Sequence, residues 1–192
     1  RERPPVGRVL AVLGERLTAS LTVRMAIESH GLPHEWPASV LREAERVAPE
    51  VDPREAAGRE DLRALPLVTI DGEDARDFDD AVYCEPRKGG FRLVVAIADV
   101  SHYVRPETEL DAQAYERATS VYFPDFVVPM LPESLSNGIC SLNPLVDRLC
   151  MVCDMQVEHD GEVAKSRFYP AVMRSAARLT YTKVWKVLGL KD

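Results

Sequence analysis

Leu67-Val68-Thr69-Ile70-Asp71-Gly72-Glu73-Asp74-Ala75-Arg76-Asp77-Phe78-Asp79-Asp80 is the stretch on which the reading of this chain turns. A short β-branched run leads into the segment 71–80, where six of ten residues are acidic and one is basic. Val68, Thr69 and Ile70 favour a pleated strand, and Gly72 lets the chain turn sharply after it. Phe91-Arg92-Leu93-Val94-Val95-Ala96-Ile97-Ala98 predicts a longer strand, apolar enough to be buried on both faces. Lys88-Gly89-Gly90 reads as a turn ahead of it. The acidic segment therefore belongs at the rim of a sheet.

Carboxylates this close repel, so either some protonate or a cation sits among them. Oxygen donors select Mg²⁺, Mn²⁺ or Ca²⁺ over zinc or copper. A calcium-loop frame fails: counting from Asp71 the sixth position is Arg76, and from Asp77 it is Val82, where glycine is required. Phe78 predicts that the segment is packed down; a solvated acidic loop is the alternative. Carboxylate-held Mg²⁺ with open positions suits phosphoryl chemistry. Neither G-x-S-x-G nor a glycine-rich phosphate loop occurs.

Working outward, Gly7 to Gly14 reads as a strand and Ser20 to His30 as a helix stopped by Gly31. Pro37 opens a second helix through Val40, Leu41 and Ala44. Residues 51–64 are polar and lead into Leu65-Pro66. Thr108 starts a helix, Pro132 to Asn137 forms a helical turn capped by Gly138, and Thr180 opens a last helix. Arg148 to Glu158 and Glu162 to Ala171 are strands joined by His159-Asp160-Gly161. This divides the chain into 1–17, a helical linker 18–64, and a main unit 65–192.

The 192 residues carry a net charge of −7, which argues against a generally nucleic-acid-binding surface. The charge is uneven: residues 163–192 hold seven basic residues and one acid, net +6, leaving −13 elsewhere. That permits a local anionic partner or a solvated helix face. No apolar run reaches the roughly 18 residues a membrane helix needs. No signal peptide is visible, so the expected location is the cytoplasm, with reduced thiols. Cys150 and Cys153 have C-x-x-C spacing, but lie in a strand where positions three apart face opposite ways; they read as core thiols. His102 reads as a satisfied partner at a strand end. Tyr122, in Ser120-Val121-Tyr122-Phe123-Pro124, is either a base-stacking aromatic or a hydrophobic anchor. Leu135 to Pro144 offers donors to phosphate or is simply two turns.

The run Leu65 to Asp71 with Asp74 to Val82 resembles the catalytic signature of the ribonuclease II/ribonuclease R family. So do Val95 to Ser101, Ser120 to Pro124 and Met130 to Cys150; the last of these, with Leu179 to Val184, is closer to the ribonuclease R branch. The resemblance implies an α+β fold: a mixed, barrel-like catalytic sheet with packed helices, after the tail of an OB-fold (cold-shock) domain at 1–17. It implies a hydrolytic, processive 3′→5′ exoribonuclease that uses Mg²⁺, with Mn²⁺ able to substitute, and releases nucleoside 5′-monophosphates. By position, Asp71, Asp77 and Asp80 are metal-binding carboxylates, Asp79 is the catalytic carboxylate, and Tyr122 stacks on 3′-terminal bases. The implied partner is the 3′ end of single-stranded RNA, with no membrane, no small-molecule cofactor and a monomeric full-length protein. The family's second catalytic half, with its arginine, has no counterpart in these residues, so the chain alone is expected to degrade RNA poorly. A non-catalytic RNA-binding module and an unrelated metal-dependent phosphodiesterase are the other readings.

Overall fold

The sheet grows from two hairpins, and everything that positions the acidic segment hangs on it. The computed structural model describes residues 6–189. In chain order the elements are helices α1 (Ala19–His30), α2 (Ala38–Ala44) and α3 (Pro53–Ala56), then strands β1 (Glu60–Asp61), β2 (Val68–Asp71), β3 (Asp80–Arg87) and β4 (Gly90–Ala98). Helices α4 (Val100–Tyr103) and α5 (Glu109–Arg117) follow, then the hairpin β5 (Val121–Phe123) and β6 (Phe126–Val128), and a π-helical segment, Ser134–Ile139. The chain continues with β7 (Asp147–Glu158), β8 (Val163–Arg174), β9 (Ala177–Thr180) and α6 (Tyr181–Leu188). Seven strands form one sheet in the order β1-β8-β7-β4-β3-β2-β9; β5 and β6 pair separately. The β1–β8 and β2–β9 contacts are parallel and the rest antiparallel.

Several ends follow from single side chains. Thr18 caps α1, accepting from the Leu21 N–H, and Gly31 stops it in the left-handed region at φ 61°. Thr108 and Thr180 cap α5 and α6 in the same way. The expected helices at 20–30, after Pro37, from Thr108 and from Thr180 therefore form, as does the 148–171 hairpin.

One sheet face is covered. Val94, Ala96 and Ala98 of β4 join Cys150, Val152, Ala171 and Met173 in a core with Leu67, Phe78 and Leu142. A second core packs α2 against α5 and the π-helical segment through Val40, Ala44, Leu110, Ala114, Leu135 and Ile139. Val100 touches both cores.

Three expectations are corrected. Gly7 to Gly14 forms no strand; among residues 6–17, Val9 and Leu10 are 80% and 84% exposed. A strand needs a ladder partner, and no described segment pairs with this one. Strand β4 is not buried on both faces: Phe91 and Ile97 are 40% and 47% exposed, because an antiparallel sheet can cover one side alone. Gly138 does not cap a helical turn; it lies inside the π-helical segment with non-helical φ −98° and ψ −112°. Among the described residues no helix is long and apolar enough to cross a membrane.

Candidate active site

Asp71 ends β2, where its register partner is Thr180 of β9. Its Oδ1 accepts from the Gly72 N–H at 2.7 Å, shaping the turn. Asp80 begins β3, opposite Ile97, and the Asp79 carbonyl accepts from the Ala98 N–H at 2.8 Å. Between these ends the loop is pinned by Phe78, which is 3% exposed. Its N–H donates to Ser141 Oγ at 2.9 Å, and its carbonyl accepts from the Leu142 N–H at 2.8 Å. Arg178 of β9 lies over its ring, 4.9 Å from the centroid, and donates to the Gly72 and Glu73 carbonyls. With Phe78 inside, Asp77 and Asp79 remain at the surface on either side of it.

Asp71, Asp77 and Asp79 line a cleft of about 840 Å³ with Tyr122, Ser136 and Asn137. Asp80 is not among the lining residues, though its charge acts on Asp79. Desolvation of its carboxyl, then the charges of Asp77, Asp80 and Asp71, push Asp79 above the usual carboxylate range. Tyr122 lies in β5 and is 65% exposed, so it is no core anchor. Its hydroxyl donates to Asp77 Oδ2 at 3.0 Å. Desolvation and that bond keep the phenol protonated to higher pH than usual.

Among the described residues no three His, Cys, Asp or Glu side chains surround one metal-sized point. The donor set is nonetheless all oxygen, and the crowding that raises Asp79 is of the kind a divalent cation relieves. The residues fit such an ion as donors, not as a preformed cage.

His102 lies outside the cleft, in α4, with Nε2 3.0 Å from Glu55 Oε1 and Nδ1 3.3 Å from Arg59. Cys150 is fully buried while Cys153 is half-buried, and neither is in a disulfide. Of the C-terminal basic residues, Arg178, Lys183 and Lys186 line a smaller pocket of about 380 Å³ beside Glu73. The reading from sequence missed Ser141, Arg148 and Arg178 as supports of the loop. The signal for two of them was a polar residue set among apolar ones: Ser141 between Cys140 and Leu142, and Arg148 before Leu149-Cys150.

The family model for the RNB domain matches residues 59–192, more than half of the sequence. The chain belongs to the RNB-domain family. A cold shock domain model matches residues 1–37, ahead of the RNB domain. Ribonuclease R of Vibrio cholerae is 60% identical over 189 residues, covering 98% of this chain and 23% of that protein. Ribonuclease R of Escherichia coli is 58% identical, with the same two shares. A solved structure of Mycoplasma genitalium RNase R in complex with double-stranded RNA superposes with a TM-score of 0.85 at 36% identity, covering 91% of this chain and 31% of that one. This RNB-domain chain thus spans about a quarter of the length of those curated relatives.

Proposed function

We propose that this chain carries the carboxylate site of a hydrolytic, processive 3′→5′ exoribonuclease that releases nucleoside 5′-monophosphates from single-stranded RNA. One observation carries the reading: Asp71, Asp77 and Asp79 share a cleft with an exposed tyrosine bonded to one of them. Base platform and acid site are thereby joined. The RNB match and the ribonuclease R relatives support the same reading.

Asp71, Asp77 and Asp80 supply the oxygens that would hold Mg²⁺ or Mn²⁺. Such an ion, when bound, polarises a phosphate oxygen and lowers the pKa of water. Asp79, whose proton affinity is raised, is suited to orient the attacking water and take up its proton. Tyr122 stacks on a 3′-terminal base, and its bond to Asp77 fixes that base relative to the carboxylates. The same reading places residues 1–17 in a cold-shock domain, 18–64 in a linker and 65–192 in the catalytic unit. It also makes the full-length protein monomeric and cytoplasmic, without a small-molecule cofactor.

The test is Mn²⁺ binding followed by paramagnetic resonance, with the parent chain beside Asp71→Asn/Asp80→Asn. Binding by the parent that is lost in the double variant is the expected result; equal binding by both would place the ion elsewhere and overturn the assignment. In a protein extended to the length of the relatives, Asp79→Asn should stop 3′ shortening of single-stranded RNA. Undiminished shortening in that variant would remove Asp79 from the chemistry. No shortening by either protein, with RNA still bound, would favour a non-catalytic RNA-binding module. Hydrolysis of a small phosphate ester but not of RNA would favour an unrelated phosphodiesterase.

A further inference from the structure

Arg148 is a buried arginine, 7% exposed, and it forms no ion pair with a described carboxylate within 4.0 Å. Its guanidinium donates to main-chain carbonyls instead: Nε to Ser141 at 2.8 Å, Nη1 to Asp147 at 2.8 Å and Nη2 to Gly138 at 3.1 Å. Removing a cation from water without an anion beside it is costly, and burial lowers the proton affinity of this group. A planar fork of N–H donors can nevertheless span several carbonyls at once, which a lysine cannot.

What the fork holds is the junction of the two cleft walls. On one side, Gly138 lies within the segment whose Ser136 and Asn137 line the cleft, and Asn143 Nδ2 donates to the Asn137 carbonyl at 3.0 Å. On the other, Ser141 is fully buried. Its Oγ accepts from the Phe78 N–H at 2.9 Å and donates to the Arg76 carbonyl at 3.3 Å. One hydroxyl thus grips the loop backbone immediately before Asp77 and immediately before Asp79. A role in filling space would need no hydroxyl there; the two bonds are directional and both end on the acidic loop.

We infer that Ser141 is a positioning residue for the acidic loop, held in register by the Arg148 fork, and that its hydroxyl sets where Asp77 and Asp79 stand relative to the opposite wall. The inference rests on the nuclease reading given above. It acts through Phe78 and Arg76, and Ser141 itself touches no substrate.

The test compares Ser141→Ala and the near-isosteric Ser141→Cys with the parent. Three quantities are read: amide hydrogen exchange at Phe78, Mn²⁺ affinity, and kcat and KM on single-stranded RNA in the extended protein. Ser141→Ala is expected to unfold cooperatively like the parent while Phe78 loses its exchange protection and Mn²⁺ binds several-fold more weakly. A displacement of this kind is expected to lower kcat roughly 10- to 100-fold with KM within twofold. Ser141→Cys, a weaker hydrogen-bonding group, should fall between. A folded Ser141→Ala with parent-like Mn²⁺ affinity and kcat would overturn the inference, as would a fall in kcat with Phe78 still protected. Should Ser141→Ala fail to fold, the same readings on Ser141→Cys decide. If the extended parent binds RNA but does not shorten it, the nuclease reading fails, and Phe78 exchange with Mn²⁺ affinity still decides whether Ser141 positions the loop.

Discussion

Two populations of acid sit on the same sheet and behave in opposite ways. Across β1, β4, β7 and β8 the carboxylates are paired: Asp154 with Arg92 at 2.6 Å, Glu60 with Arg167 at 2.6 Å and Asp147 with Arg174 at 2.6 Å. At the end of β4, Asp99 pairs with Arg59 at 2.7 Å, almost out of water. The Arg92 guanidinium beside Asp154 holds that carboxyl below the ordinary range, and Arg63 brings Asp61 down to about 2. Asp71, Asp77, Asp79 and Asp80 have no described cation within 4.0 Å, and Asp79 moves the other way. The paired acids bridge neighbouring strands of the sheet. The unpaired ones stand at the end of the sheet where a cleft opens, lined by Asp71, Asp77 and Asp79, which is the usual signature of groups placed for chemistry.

That contrast predicts opposite outcomes for substitutions on the two sides. Asp79→Asn should cost about 10²- to 10⁴-fold in RNA turnover, the range for a proton-handling carboxylate, yet leave the unfolding midpoint unchanged or higher. A variant that lost stability instead would break the comparison. Asp99→Ala strands Arg59 in a buried site and should destabilise the fold by about 3–5 kcal/mol, read from urea unfolding. Tyr122→Ala should weaken RNA binding by about 1–3 kcal/mol, the worth of one stacked base, measured by anisotropy, with little change in the melting temperature.

The smallest effect sharpens the comparison through pH. Asp154 has a depressed folded pKa, so its contribution is present above the unfolded carboxylate value near 4 and is lost as pH falls through the folded value. The stability gap between parent and Asp154→Asn should therefore be full at pH 6. Below about pH 4 it should shrink steadily in urea titrations. A gap that widened on acidification would contradict the pairing.

The parts of the site that could be read from sequence are the local ones. Asp71, Asp77, Asp79 and Asp80 announce themselves by density of charge, and Phe78 among them announces that the loop is packed. The hairpin at 159–161 and the caps at Thr108 and Thr180 rest on a few adjacent residues. Strands β1 and β9 escaped because they are two and four residues long and take their order from distant partners, β8 and β2. Ser141 escaped for a related reason: a small polar residue in a loop suggests donors for a ligand, whereas here the hydroxyl serves the protein's own backbone. Gly7 to Gly14 shows the converse, a strand-like sequence with nothing described to pair with.

The parallel join of β2 to β9 has a consequence in time. Val68 pairs with Ala177, and Arg178 holds the carbonyls of Gly72 and Glu73, so the acidic loop is closed by residues made more than a hundred positions later. At synthesis rates of about 5–20 residues per second, that is a delay of roughly 5–20 s. During that interval the newly made segment holds its cluster of negative charge without the strand that fixes it. The last-made edge of the sheet thus decides when the acidic loop takes its working shape.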